Sequence, residues 1–262
     1  MFQFLGFAAN FALGASIAFG LPVPDGTWPT SQGNVSFAEV YVVKSGEVFD
    51  GGMKTYDRSD ITCLGQTESN GTSKAVFGVQ PGATLKNVII GTNQMEGVHC
   101  EMSDCTIENV WWEDVCEDAL SIKGGNASSV SRVLGGGARY ADDKSNPRQR
   151  FLNVSNSYVD LATIQAQRVD PNVSIVMMNE NFGDQAVLRN FYVKPGKENY
   201  TECASSFGVN KSGERPVILS NGPKNPVCQY SYGDVHVVES EQDTEQQQQQ
   251  QQQPQLQVQV EL

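Results

Sequence analysis

Short apolar runs, separated by Gly, Asn, Asp and Ser, make up the chain from residue 36 to about residue 237. Long stretches with a 3.6-residue hydrophobic period are missing, so helix is predicted to be a minor component. The runs have the length and the β-branched content that are typical of strands. Examples are residues 40–43, 75–77, 85–90, 107–112 and 174–178. The pattern therefore predicts an all-β fold.

One sequence pattern recurs within this region. Residues 83–89 (ATLKNVI) return as residues 105–111 (CTIENVW), and a third copy lies at residues 186–192 (AVLRNFY). A repeat of about 20–25 residues with short strands and a recurring Asn is typical of a parallel β-helix, in which each turn, or rung, stacks on the one before. We expect the asparagines to stack in a ladder at a bend, bonding to backbone groups that would otherwise be unpaired. The alternative is an antiparallel sandwich with coincidental similarity.

The two ends of the chain differ from this region. Residues 2–21 are nearly all apolar or small and are followed by PVPDG, a pattern typical of a secretory signal peptide, with a buried or membrane helix as the alternative. The end of the chain contains four acidic residues and then eight consecutive glutamines, which predicts a low-complexity, disordered tail. The predicted organisation is a signal peptide at residues 1–20, one β-helix domain at 21–238 and a Gln-rich tail at 239–262.

The charge of the chain restricts its partners. Lys and Arg number 18 and Asp and Glu number 30, so the formal net charge is −12. Such a field disfavours nucleic acid and anionic membranes as partners. An acidic substrate would need a local basic cluster or a metal ion between it and the protein. Two histidines, His99 and His236, lie far apart, which argues against a His-rich zinc site or a catalytic triad.

The cysteines and the glycosylation sequons fit an exported protein. The six cysteines are even in number and form no CxxC motif, so a zinc ribbon or a thioredoxin-type motif is not indicated. In a secreted chain, up to three disulfides are expected. Seven Asn-x-Ser/Thr triplets are consistent with export; they lie at Asn34, Asn70, Asn126, Asn153, Asn172, Asn199 and Asn210.

Carboxylates cluster between residues 94 and 144. Positions 20 to 22 residues apart lie above one another in a β-helix of this period, so Glu96 and the pair Glu117 and Asp118 would share one face on adjacent rungs. Three carboxylates at one place repel strongly unless a cation joins them. Oxygen ligands without sulfur or histidine suit a hard ion, Ca²⁺ before Mg²⁺. The alternative is an acidic, solvated surface, and spacing alone leaves both open.

Several motifs taken together resemble one family. They are residues 48–54 (VFDGGMK), 82–91 (GATLKNVIIG), 96–100 (EGVHC), 109–119 (NVWWEDVCEDA) and 135–138 (GGGA). Linked in this order, they resemble the secreted pectate lyases of polysaccharide lyase family three, in the form found in plant-associated fungi and oomycetes. The resemblance covers residues 26–144 and resumes from about residue 169 to about residue 193.

This resemblance implies a single-domain, right-handed parallel β-helix that cleaves polygalacturonate, the pectin of the plant cell wall, by β-elimination with Ca²⁺. It also implies an extracellular monomer. Glu96, Glu117 and Asp118 look like the calcium ligands of the family. Lys144 looks like its proton-abstracting lysine, since a lysine with a depressed pKa can take the weakly acidic C5 proton. For Lys144 alone, the alternative is a surface lysine paired with Asp142 or Asp143.

The chain departs from the family over residues 145–168. The family continues there with a segment that supplies a second lysine and an arginine, and this sequence has no match to it. Arg148, Arg150 and Arg168 are available cations, but none follows the family pattern, so no role is assigned to them. One hypothesis is a genuine replacement that weakens or abolishes activity. The other is an error of reading frame or splicing in the gene.

Two other function classes compete with the lyase. The first is a non-catalytic, pectin-binding or effector-like β-helix that keeps the calcium cleft. The second is a glycoside hydrolase on the same fold, which would use paired carboxylates such as Glu113 with Asp114, or Glu117 with Asp118, as acid and base. Hydrolysis would survive a chelator, whereas calcium-dependent elimination would not.

Overall fold

The structure is a computed structural model, and it describes residues 27–63, 71–126, 128–140, 151–155, 158–160, 172–195, 199–208 and 216–238. The predicted signal peptide at residues 1–20 and the Gln-rich tail at residues 239–262 lie outside these ranges, and so does Lys144. Within the described residues, no helix has the length and apolar character needed to cross a membrane.

Strands form nearly all of the regular structure in this part of the chain, as the apolar runs predict. Three short 3₁₀ helices lie at Gly71–Lys74, Glu180–Phe182 and Tyr232–Asp234. In chain order the strands are β1 (Asn34–Phe37), β2 (Tyr41–Val43), β3 (Val48–Arg58), β4 (Ala75–Val79), β5 (Thr84–Ile90), β6 (Glu96–Cys100), β7 (Thr106–Trp112), β8 (Asp118–Ile122), β9 (Val130–Leu134), β10 (Gly137–Arg139), β11 (Phe151–Ser155), β12 (Tyr158–Asp160), β13 (Asn172–Asn179), β14 (Gln185–Arg189), β15 (Phe191–Lys194), β16 (Asn199–Phe207), β17 (Val217–Asn221), β18 (Cys228–Gln229) and β19 (Val235–Val237).

Nearly all of the described strands pair in parallel with the equivalent strand of a neighbouring rung. Two faces belong to one twelve-stranded sheet, in which β3, β5 and β7 bend from the first face onto the second. The third face carries the sheet β2-β4-β6-β8 and the sheet β13-β16-β17. Among the pairs of named strands that the structure describes, only β16 with β17 is antiparallel. The fold is thus a parallel β-helix, and the antiparallel sandwich is wrong.

The repeated asparagines lie at the bend between the first two faces. Asn87, Asn109 and Asn190 have φ angles of 52°, 52° and 46°. Asn tolerates this left-handed conformation better than most residues, which explains its recurrence there. The Asn109 amide donates to Asn87 Oδ1 (2.9 Å), and the Asn87 amide donates to Asp50 Oδ1 (3.0 Å). The predicted ladder is confirmed, although these hydrogen bonds join side chains and not, as expected, side chains and backbone.

Apolar side chains from all three faces fill the interior of the solenoid. One cluster includes Phe77, Leu85 and Ile107, each no more than 1% exposed. A second cluster includes Leu188 and Phe191, and Val133 packs against both clusters. Burying each large side chain contributes about 1.5–3 kcal/mol. The continuous interior is what holds successive rungs in contact.

The departing segment, residues 145–168, still takes part in the stacking. β11 pairs with β9 on one side and β14 on the other, and β12 lies likewise between β10 and β15. Residues 151–155 and 158–160 therefore supply one rung in register on two faces. The backbone of the fold therefore continues through the segment in which the motifs predict a departure from the family.

Three disulfides account for all six cysteines, which confirms the expected number. The pairs are Cys63–Cys116, Cys100–Cys105 and Cys203–Cys228. Sequence separations of 53, 5 and 25 residues show that two of the bridges join distant segments. The first bridge holds the residue that directly precedes Glu117.

Replacing Asn109, which donates to Asn87 at one end of the ladder, tests the contribution of the ladder to stability. We expect Asn109→Ala to lower the free energy of unfolding by about 1–3 kcal/mol, because it loses hydrogen bonds and places alanine in the left-handed region. Asn109→Gly should lose less, because glycine adopts this conformation without strain. Urea unfolding followed by tryptophan fluorescence measures both.

The matched control is Asn93→Ala, which removes an exposed asparagine outside the bend. It should change stability by less than about 0.5 kcal/mol. Equal losses in Asn109→Ala, Asn109→Gly and the control would contradict a stabilising ladder.

Candidate active site

Three carboxylates meet on the third face of the solenoid. Glu96 is the first residue of β6, Asp118 is the first residue of β8, and Glu117 directly precedes it. Glu96 and Asp118 are register partners in the parallel pair of β6 and β8. One oxygen from each of the three side chains lies within 4.8 Å of the others. The spacing of 22 residues therefore brings these side chains together as the repeat predicts.

Contacts around the turn before β8 hold Glu117 against the neighbouring rung. The Glu117 amide donates to the Met95 carbonyl (3.1 Å), and the Gln94 side chain donates to the Asp114 carbonyl (2.8 Å). The Cys63–Cys116 disulfide ties the same turn to an earlier rung. Backbone pairing and a covalent bridge thus impose the approach of the carboxylates, which does not depend on attraction between them.

Gly97 makes room for the strand that carries Glu96. A Cβ added at this position would overlap the Trp112 indole nitrogen and lie 2.5 Å from the Ala119 carbonyl oxygen. Trp112 is 5% exposed and forms part of the main core cluster. The glycine in the motif EGVHC therefore has a steric reason, because a side chain there would push β6 away from β8.

Burial and mutual repulsion make the metal-free cluster electrostatically unfavourable. Glu96 and Asp118 are 3% and 5% exposed, and Glu117 is partly buried. Burial, the negative charges of Asp118 and Glu96, and a hydrogen bond with Glu96 raise the pKa of Glu117 to about 8, against a smaller opposing effect of Lys123. Three negative charges do not coexist here at neutral pH without compensation. The donor set is suited to a cation that prefers oxygen ligands.

Several contacts around the cluster were not predicted from the sequence. His99 contacts Glu96, and Ser121 donates to Asp118. Hydrogen bonds from Thr72 and His99 hold the pKa of Glu101 below its usual value, although burial acts in the opposite direction. His99 lies in the motif EGVHC, and Ser121 lies in residues 117–123 (EDALSIK). Neither stretch of sequence specifies which side chains meet across neighbouring rungs.

Of the two carboxylate pairs considered for a glycoside hydrolase, Glu117 and Asp118 belong to the acidic cluster, whereas Glu113 and Asp114 do not. Glu113 lies 3.3 Å from Arg139 in an ion pair, and its side chain is 41% exposed. Among the described residues, Glu96, Glu117 and Asp118 form the group that could hold a metal ion. Glu113 and Asp114 are not part of this group.

Comparison with known proteins identifies the family. The sequence profile of the family described as Pectate lyase matches residues 25–146. Probable pectate lyase D of Emericella nidulans is 41% identical over 236 residues, which cover 81% of this chain and 84% of that protein. This chain belongs to the pectate lyase family. Pectate lyase H of the same fungus is 41% identical over 223 residues, covering 78% of this chain and 82% of that protein.

Pectate lyases also appear among the solved structures with a similar backbone. Pectate lyase PelI from Erwinia chrysanthemi, crystallised in complex with tetragalacturonic acid, has a TM-score of 0.49 and 22% sequence identity. The match covers 79% of this chain and 71% of that one. The sequence comparisons, not this structural similarity, confirm at the level of the family the resemblance noted from the sequence motifs.

The profile match covers the acidic cluster and the lysine that the sequence motifs predict as the base. Glu96, Glu117, Asp118 and Lys144 all lie within residues 25–146. The match ends two residues after Lys144, close to the start of the departing segment. The residues that form the acidic cluster therefore lie in the part of the chain that the family profile covers.

The raised pKa of Glu117 predicts a pH-dependent stability of the metal-free protein. In a buffer that contains a chelator, the melting temperature should fall as the pH rises between 4.5 and 8, the ordinary and the raised pKa of this group. In that window the folded state retains the Glu117 proton and the unfolded state releases it, so the unfolded state binds fewer protons and stability decreases with pH. Thermal unfolding across the pH range measures the slope.

Glu117→Gln removes the titrating group and should flatten this slope, whereas Glu113→Gln, in the same turn but outside the cluster, should keep it. If the melting temperatures of the unmodified protein and of Glu117→Gln changed equally with pH, Glu117 would not be the group that causes the pH dependence.

Proposed function

We propose that this chain is a secreted, calcium-dependent pectate lyase that cleaves polygalacturonate by β-elimination. The observation that carries the proposal is the cluster of Glu96, Glu117 and Asp118 on one face of a β-helix in a chain of the pectate lyase family. The paired cysteines support passage through an oxidising compartment. Asn34 and Asn126, two of the seven sequons, are exposed, as glycosylation requires.

The geometry of the three carboxylates is compatible with Ca²⁺. Oxygen ligands lie about 2.3–2.6 Å from this ion, so two ligands of one ion are separated by no more than about 5 Å. The three oxygens lie within 4.8 Å of one another. The flexible coordination and all-oxygen preference of Ca²⁺ suit a set of carboxylates that leaves further positions for the substrate. Mg²⁺ would require closer and more regular ligands.

The site must also overcome the electrostatic repulsion between an acidic protein and an acidic polymer. Glu96, Glu117 and Asp118 hold the cation at the surface of a chain whose net charge is −12. Bound Ca²⁺ would neutralise the uronate carboxylate and stabilise the negative charge that develops when the C5 proton leaves. The cluster thereby turns a repulsive surface into a binding surface for polygalacturonate.

Lys144 is the proposed base, by its position in the family motif. Its neutral amine takes the C5 proton of the uronate, and the electron pair of that bond forms the C4=C5 double bond. The C4–O bond breaks in the same elimination, and the departing oxygen accepts a proton. The elimination requires no water as a reactant, in contrast to glycoside hydrolysis.

Residues 145–168 decide how active the site is. They stand where the family supplies further cations, and the strands described within them pair with their neighbours in the solenoid. The competing proposal is a β-helix that binds pectin through the same calcium cleft and does not cleave it. Sequencing of the transcript tests the third possibility, an error in the gene sequence, which a matching cDNA would eliminate.

Product formation is the direct test of the lyase. Polygalacturonate incubated with the protein and Ca²⁺ should give a rise in the absorbance of unsaturated uronate, which a chelator and Lys144→Ala each abolish. Lys44→Ala is a matched control, because it removes an exposed lysine outside the site. A flat absorbance trace from folded protein that still binds polygalacturonate would favour the non-catalytic proposal.

Calcium binding tests the ligand set separately from catalysis. We expect Glu117→Gln and Asp118→Asn each to weaken Ca²⁺ binding at least about 10-fold in calorimetric titrations, because each removes a charged ligand. Glu113→Gln should bind as the unmodified protein does. Unchanged affinity in both cluster variants would show that Ca²⁺ binds elsewhere.

A further inference from the structure

The two strands that carry the acidic cluster repeat one polar arrangement. Glu96 of β6 is the register partner of Asp118 of β8, and His99 is the register partner of Ser121. In each strand the carboxylate contacts the polar side chain three residues further along. Two adjacent rungs thus place a buried hydrogen-bonding group beside a buried carboxylate.

His99 is enclosed among polar groups and is 0% exposed. Its Nε2 lies 2.8 Å from Glu96 Oε2, and its Nδ1 lies 2.8 Å from Glu101 Oε1. Glu101 also accepts a hydrogen bond from Thr72, which lies on the preceding rung. The imidazole ring therefore contacts a carboxylate on each side, which fixes its orientation.

Ser121 has the same relation to Asp118. It is 1% exposed, and its hydroxyl donates to Asp118 Oδ2 at 2.7 Å. A serine without a partner at such a buried position would be costly, so the hydroxyl has little freedom to turn away. The bond fixes the rotation of the Asp118 carboxylate.

We propose that His99 and Ser121 are positioning residues, which orient Glu96 and Asp118 for the bound cation and so raise its affinity. The inference rests on the proposed function, because it assigns a partner to each of two proposed ligands. Each contact engages one oxygen of the carboxylate from within the protein. Because the two oxygens of a carboxylate lie in one plane, the contact also restricts the position of the second oxygen. Hydrogen bonds to the ligands of a metal commonly contribute about 10- to 100-fold in affinity.

The alternative is that both residues only fill the interior and satisfy its polar groups. A structural role of this kind predicts a loss of stability without a specific loss of cation affinity. Another buried serine provides a comparison within the same fold, since Ser131 is 0% exposed and its hydroxyl contacts the hydroxyl of Ser103 (3.1 Å), not a carboxylate of the cluster.

Calorimetric titration of the full secreted chain with CaCl₂ tests the proposal. We expect Ser121→Ala and His99→Phe to raise the Kd for Ca²⁺ about 10- to 100-fold. His99→Gln, which keeps an N–H donor, should recover part of the affinity. Ser131→Ala should lower the melting temperature of the metal-free protein as Ser121→Ala does, but leave the Kd unchanged.

The outcomes separate this inference from the proposed function. If the unmodified protein binds no Ca²⁺, the proposed function fails and this inference falls with it. If the unmodified protein binds Ca²⁺ and folded Ser121→Ala and His99→Phe bind within about twofold of it, the positioning role is overturned while the calcium site stands, since the expected effect is at least 10-fold. If His99→Phe does not fold, comparing the Kd for Ca²⁺ of Ser121→Ala with that of Ser131→Ala tests the positioning role.

Discussion

Parallel pairing between successive rungs is the constraint on which the rest of the structure depends. It places Glu96 beside Asp118 and His99 beside Ser121, and it brings Asn87 within hydrogen-bond distance of Asn109. A slip of one residue in a strand would reverse the direction of every side chain in it. The buried apolar interior prevents such a slip, because it would turn core residues such as Leu85 outward. The same register therefore maintains the core and assembles the acidic cluster.

The fold holds the three carboxylates of the acidic cluster together although they repel one another. Strand pairing, the Cys63–Cys116 bridge and the absence of a side chain at Gly97 hold three carboxylates close together. Their repulsion and burial appear in the raised pKa of Glu117. A rigid scaffold can maintain such an arrangement because its stability comes from the many apolar contacts of the solenoid. The proposed cation would find its ligands already in place, so little ordering would accompany its binding.

Fold and catalysis place different demands on residues 145–168. Stacking requires strands of the right length and register, which β11 and β12 provide. Elimination requires cations at particular points of the cleft, and packing of the solenoid does not require those cations. A segment that lacks cations at those points can therefore still keep its place in the β-helix. This separation explains why membership of the pectate lyase family and the activity of this chain are distinct questions.

The sequence by itself determined the architecture and the members of the cluster. The 22-residue spacing between the copies of the asparagine pattern predicted the rungs, and the same spacing placed Glu96 over Asp118. It did so because a solenoid turns a period in the sequence into contact in space. Six cysteines in a chain predicted to be secreted indicated up to three bridges, but their pairing needed the three-dimensional path of the chain.

Only the tertiary structure decided the environment of the site. The contact of Ser121 with Asp118, the burial of His99 between two carboxylates and the raised pKa of Glu117 all depend on side-chain directions and on neighbours from other rungs. A repeat period specifies which residues stack, and it contains no information about which atoms meet or how much water remains between them. Those quantities follow from packing, and they determine how tightly the cluster can hold a cation.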